Sequence, residues 1–159
     1  MRTIPAIGLF ALAIVFSGCP TGVWLRPDGT PGPERCSEEA KRAMELLRLH
    51  VGDAAHVELD ANQSRSSPIT LYDGPIESVL WEDFGTLEAP SRLYGRVWTA
   101  GPQVVIRYYE AQRPDGQPVP ICAVARLSEN QLRKLPGSKP GMAILEFSGA
   151  SAFVVSEFR

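Results

Sequence analysis

Three thiols, two imidazoles and a band of arginines interleaved with aromatic rings are the groups in this chain of 159 residues that could carry chemistry. The thiols are Cys19, Cys36 and Cys122. If Cys19 is consumed by another reaction, Cys36 and Cys122 remain as an even pair. In an oxidising compartment such a pair is expected as a disulfide, and the alternative is two buried free thiols acting as small hydrophobes. A bridge between them would close a long loop and stabilise the fold by up to about 4–5 kcal/mol. No metal site is expected, because two distant thiols with His50 and His56 lack metal-ligand spacing. Both histidines read as a helix-end cation and a solvent-facing strand residue, with no acid partner visible in sequence.

Arg92, Tyr94, Arg96 and Trp98 alternate, so they share one face if their segment is a strand, and Arg107 and Tyr109 can join them from a neighbouring strand. Such a face can stack a sugar ring or clasp an acidic peptide through cation–π and bidentate contacts. The alternative is that Tyr94 and Trp98 are core, with the arginines shielding their edges. Ser138 and Lys139 place a hydroxyl beside an amine, but within Gly137-Ser138-Lys139-Pro140-Gly141 they read as a surface turn. Asp60, Asn62 and Ser64 imitate the start of a calcium loop, yet Arg65 stands where the sharp turn needs Gly and Leu71 replaces the bidentate Glu.

No Gly-x-Ser-x-Gly elbow, His-Glu-x-x-His helix, Walker loop or Gly-x-Gly-x-x-Gly turn occurs, and the glycine loop, catalytic loop and metal-binding triplet of protein kinases are missing from the sequence. The expectation is therefore a non-enzymatic protein with no cofactor other than a covalent lipid.

That lipid follows from the N-terminus. Met1 and Arg2 form a short positive region, Ile4 to Phe16 is apolar apart from Pro5 and Gly8, and Ser17 and Gly18 are small. This order is that of a signal peptide, residues 1–18, and the apolar run falls short of the roughly 20 residues that cross a bilayer. Phe16-Ser17-Gly18-Cys19 resembles the lipobox of bacterial lipoproteins, with Phe16 where Leu is usual. The resemblance implies that the Cys19 sulfur receives a diacylglycerol and becomes the mature N-terminus, an anchor that two acyl chains make stable. Pro20 is not the Asp that retains many such proteins at the inner membrane, so the expected location is the cell envelope, at the outer membrane rather than the inner.

The elements that must position the remaining residues follow in order. Residues 19–35 hold Gly22, Pro27, Gly29, Pro31, Gly32 and Pro33, a composition expected to form a loosely extended tether. Trp24 and Leu25 interrupt it, to dock on the domain or to rest at a membrane interface. The exported domain spans residues 36–159. Ser37 can cap an amphipathic helix from Glu38 to about His50, with Ala40, Ala43, Met44, Leu47 and Val51 on one stripe and Gly52 as the stop. The period then changes to two. Strands are expected at 56–60, 69–72, 76–81, 92–99, 103–110, 119–127, 142–147 and 152–158. Asp73-Gly74, Gly101-Pro102, Pro114-Asp115-Gly116 and Pro136-Gly137 supply turns, while Pro118 and Pro120 predict irregular pairing of the strand that follows them. The expected fold is mainly β: a small antiparallel barrel or sandwich of about eight strands with one N-terminal amphipathic helix.

With 44% hydrophobic and 21% charged residues the chain is in the range of one globular domain. Its formal charge is −2, and loss of residues 1–18, which carry Arg2 and no acid, lowers it to about −3. The basic residues are scattered among acids, which argues against a nucleic-acid partner on counterion grounds. The expected partners are a lipid bilayer and an envelope protein or cell-wall glycan.

The segment from Arg92 to Thr99, with Arg107-Tyr108-Tyr109-Glu110-Ala111, Pro114-Asp115-Gly116, Pro120-Ile121-Cys122 and Pro136 to Gly141, resembles small myxobacterial-type lipoproteins of undefined function. Some of these carry a serine/threonine kinase label, but no kinase residue transfers to this chain. Strand order and the Leu93-Tyr94-Gly95-Arg96 run are also similar to the β-barrel domains of bacterial secretion-channel scaffolds. The resemblance adds nothing mechanistic; the residues themselves lead to the expectation of an envelope lipoprotein whose β-domain binds or scaffolds another component, or else a carbohydrate- or peptidoglycan-binding module using the Arg/Tyr/Trp face.

Overall fold

Alternation of apolar and polar side chains builds a sheet that closes on itself. The computed structural model describes residues 23–128 and 130–159. Six antiparallel strands form the barrel: β2 (Ala54–Glu58), β4 (Gly74–Leu80), β5 (Arg92–Trp98), β6 (Gln103–Gln112), β7 (Pro118–Arg126) and β10 (Gly149–Val154). Their order is β5-β4-β2-β10-β7-β6, and pairing of β5 with β6 completes the circle. Closure removes the free edges that a six-stranded open sheet would expose. Inward positions alternate along each strand: Leu93 and Val97 on β5, Val104, Ile106 and Tyr108 on β6, and Ala152 and Val154 on β10 are all buried in one core.

Of the two architectures left open by the sequence, the barrel is the one adopted. All eight expected strands are present, the last divided into β10 and β11 (Glu157–Phe158). Five short strands among the described residues lie outside the circle. β3 (Ile69–Tyr72) and β9 (Met142–Leu145) form a ribbon whose Ile69, Leu71, Ala143 and Leu145 join the core. β8 (Leu132–Arg133) pairs with the start of β6. β1 (Glu34–Arg35) pairs with β11 in a short ribbon.

The helix is shorter than its apolar stripe suggested. α1 runs from Glu38 to Leu46, with Ser37 Oγ accepting the Ala40 N–H at 3.0 Å as its N-cap. It ends because Arg48 turns left-handed (φ 57°), which lets Arg48 N–H bond Glu45 O and Leu49 N–H bond Met44 O, the two reversed bonds of a Schellman ending. The turn swings Leu49 into the core and leaves Val51 exposed, so Val51 is not part of the helical stripe and Gly52 is not the stop. Chain reversal that buries Leu49 outweighs the cost of a left-handed arginine.

The β6–β7 hairpin turns at Pro114-Asp115-Gly116 as expected, with Gly116 left-handed (φ 86°) and its N–H on Arg113 O. Beyond the turn the pairing is irregular: the register shifts between Tyr108 and Glu110, opposite Pro120 and the residues that follow it. On the other side β5 and β6 shift register between Tyr94 and Gly95, and a methyl on Gly95 would overlap the Arg107 carbonyl oxygen. Glycine is required there by close approach of the β6 backbone.

Candidate functional site

The disulfide is formed. Cys36 precedes the cap of α1, Cys122 lies mid-β7, and their Cα atoms are 5.9 Å apart. It bridges positions 86 residues apart and pins the helix to the barrel wall. Cys19 lies outside the described residues.

The segment expected to be a loose tether is ordered over its described part. Leu25 bridges Pro31 around a turn at 26–30, and Pro31 and Gly32 are buried. Trp24 covers Gly32, where a methyl would overlap the indole, yet 64% of Trp24 remains exposed. What holds this segment down is Arg107. Inward positions on β6 are apolar, so Arg107 projects outward, but it is only 1% exposed because residues 31–34 and Phe158 cover it. Its guanidinium donates to Gly32 O at 2.8 Å and more weakly to Pro31 O, lies 3.4 Å from Glu34 Oε2, and is stacked between the rings of Trp98 and Phe158, 5.5 and 5.0 Å from their centroids. Such pairing is what permits a buried guanidinium. Tyr109 donates its hydroxyl to Glu34 Oε2 at 2.9 Å and meets Phe158 edge-on. Burial and the adjoining Glu34 carboxylate both push the Tyr109 phenol well above its ordinary range.

Of the six residues expected as a binding face, the structure keeps Arg96, Trp98, Arg107 and Tyr109 together and gives Arg92 and Tyr94 partners of their own. Arg92 is exposed and paired with Glu77 across the sheet, while Tyr94 donates to Gln112 Oε1 at 3.1 Å. Arg96 lies over Trp98, and Trp98, with Arg107 and Tyr109, forms the covered stack. Trp98 is 6% exposed, so its ring is not available to a sugar. The alternative reading holds for Trp98, which is buried with Arg96 and Arg107 over its ring, but not for Tyr94, which is only partly buried.

Other candidates resolve into local structure. Ser138 Oγ donates to Leu135 O and accepts the Ile144 N–H, so the hydroxyl belongs to its turn. Asp60 accepts from Asn62 N–H and from the Gln63 amide, closing an Asx turn. Both histidines do have acid neighbours: His50 Nδ1 is 3.4 Å from Asp53 Oδ2, and His56 Nδ1 is 2.9 Å from Glu82 Oε1, a partner 26 residues away. The His56 backbone N–H also bonds Glu82, and this bond first, then the imidazole, holds the Glu82 carboxyl below its usual range.

Two of the surface concavities carry a charged or an exposed apolar lining. A groove of about 410 Å³ crosses the outer face of β6 and β7, floored by Val105 and Val124, with Arg26 of the N-terminal turn and Glu157 and Arg159 of the C-terminus on its walls and Arg107 and Arg126 within it. A cleft of about 490 Å³ lies by Leu127, Leu135, Leu145 and Phe147, of which Leu127 and Phe147 are exposed. Sequence reasoning missed Arg26, Arg126 and Arg159, which are up to 133 positions apart and share no pattern; the one available signal was outward alternation of Arg126 two residues beyond Val124.

No family model and no curated protein matches this chain. Among the described residues no helix is long and apolar enough to cross a membrane.

Proposed function

We propose that this protein is a bacterial cell-envelope lipoprotein, cleaved before Cys19, acylated on that residue and held preferentially at the outer membrane, whose barrel serves as a non-enzymatic binding or scaffold module. The observation that carries this reading is the Cys36–Cys122 bridge. It is the bonding expected of an exported protein, and it leaves Cys19, directly after an apolar run and Ser17-Gly18, as the thiol free for another fate. The ordered turn from Trp24 also supports it. Only four residues separate Cys19 from Trp24, a span of at most about 18 Å, so the acylated barrel would sit close against the bilayer with the exposed Trp24 and Leu25 near the interface. The exposed Leu127 and Phe147 beside their cleft are the kind of surface a protein partner covers.

Mass spectrometry of the membrane-extracted protein tests the anchor. The expected mature chain begins at Cys19 with acyl chains attached, and Cys19→Ala leaves the signal peptide uncut and abolishes acylation. An unacylated mature chain starting elsewhere, or an acylated Cys19→Ala chain, would overturn the assignment.

A further inference from the structure

We infer that the groove over β6 and β7 binds an oxyanion, a carboxylate or phosphate group, through Arg126; the inference rests on the reading of the barrel as a binding module. Four arginines line this groove against one acid, Glu157, which is already engaged by Arg159 Nε at 2.8 Å. Arg107 directs its charge to Glu34 and to the carbonyls of residues 31 and 32. Arg26 gives Nη1 to Pro31 O.

Arg126 differs from all of these. It projects outward from β7, where Ser151 is its neighbour on β10, and its Nε is shut off from water without an acceptor among the described residues. A guanidinium N–H buried without a partner loses hydration and gains nothing in return. Arg126 also lines the groove, so an oxyanion seated there can take charge-assisted N–H bonds from the accessible edge of the planar fork and offset the charge of a guanidinium whose Nε has no acceptor. Arg26 and Arg159 on the walls add same-sign charge that favours an anion entering from solution. The floor is apolar, Val105 and Val124, so the preferred ligand carries its charged group on a small hydrocarbon or ring body, for which about 410 Å³ is sufficient. The same chemistry is offered by a free organic anion and by the phosphate of a lipid headgroup.

The test uses the full chain, purified in detergent, with thermal unfolding followed at constant ionic strength during titration with citrate and with inorganic phosphate. A parallel arm reconstitutes it into phosphatidylcholine vesicles with and without phosphatidylglycerol. Arg126→Gln is compared with the wild type and with Arg113→Gln, a surface arginine in the β6–β7 turn outside the groove. The expected result is anion-dependent stabilisation of the wild type that Arg126→Gln weakens about tenfold in apparent affinity, as loss of one charged hydrogen bond implies, while Arg113→Gln leaves it within about twofold. Loss in the citrate or phosphate arm assigns a free anion, and loss confined to phosphatidylglycerol vesicles assigns the headgroup. If Arg126→Gln matches the wild type in every arm, or Arg113→Gln weakens binding equally, the groove is not an oxyanion site. The citrate and phosphate arm reads the same whether or not Cys19 is acylated, so failure there and failure of the anchor are separate results.

Discussion

Arg107→Ala is the substitution whose consequence can be worked most fully from the structure. The change strips Gly32 O of a charge-assisted donor at 2.8 Å, worth about 1.5–3 kcal/mol, and removes a cation held between Trp98 and Phe158, worth about 1 kcal/mol for each ring. The ion pair with Glu34 adds little, since that side chain is 35% exposed and 3.4 Å away. These contributions overlap, and relief of guanidinium desolvation offsets part of them, leaving a net loss of about 3 kcal/mol. In a domain of this size that lowers the midpoint of thermal unfolding by roughly 10 °C. The loss falls on the covering segment first, because the barrel core does not include Arg107. Native-state trypsin cleavage after Arg35 should therefore accelerate by about two orders of magnitude, the population shift that 3 kcal/mol implies, while urea denaturation reports the global loss. Arg107→Lys should recover less than half of it, because an ammonium cannot donate to Gly32 O and Glu34 while lying flat between two rings. A loss below about 1 kcal/mol, or full recovery by lysine, would refute the view that this guanidinium holds residues 31–34 to the barrel.

Replacing both Cys36 and Cys122 with Ala should destabilise the domain by up to about 4.6 kcal/mol, from closure of a loop of 86 residues in the unfolded chain, measured by urea unfolding against the oxidised protein. Tyr108 bonds Ser78 at 2.7 Å in the core, and burial pushes its phenol well above the ordinary value of 10. The folded state thus keeps the proton while the unfolded state releases it near pH 10, so stability is intact below pH 10 and falls as pH rises above it. Melting between pH 8 and 11 should show this decline, and Tyr108→Phe should flatten it, with the Tyr109 phenol, raised in the same direction, accounting for what remains.

Strand positions, the Pro114-Asp115-Gly116 turn and the Ser37 cap were legible in the sequence because each depends on neighbours a few residues away. Alternation at Gln103–Glu110 marks a strand whatever it pairs with, since one side must face the core. The end of α1 was less legible: Leu49 can enter the core only after a left-handed residue, and no glycine stands at Arg48 to announce it. Local pattern also says which side chains point out of the barrel, but not what lies over them. Arg107 and Trp98 have the alternation of surface residues, yet Trp98 is buried with two arginines over its ring and Arg107 is covered by residues 31–34 and by Phe158, contacts that cross about 75 positions of chain to the first and 51 to the second. Likewise two thiols can be counted from the sequence, whereas their approach to 5.9 Å is a property of how helix and β7 pack. The export signal and the Cys19 acylation that we propose rest on composition and order alone, because export machinery reads such a segment unfolded. The arginine groove is the opposite case: Arg26, Arg126 and Arg159 meet only once the barrel closes and the turn at 26–30 and residues 157–159 fold across it, so only the tertiary structure could place their charges together.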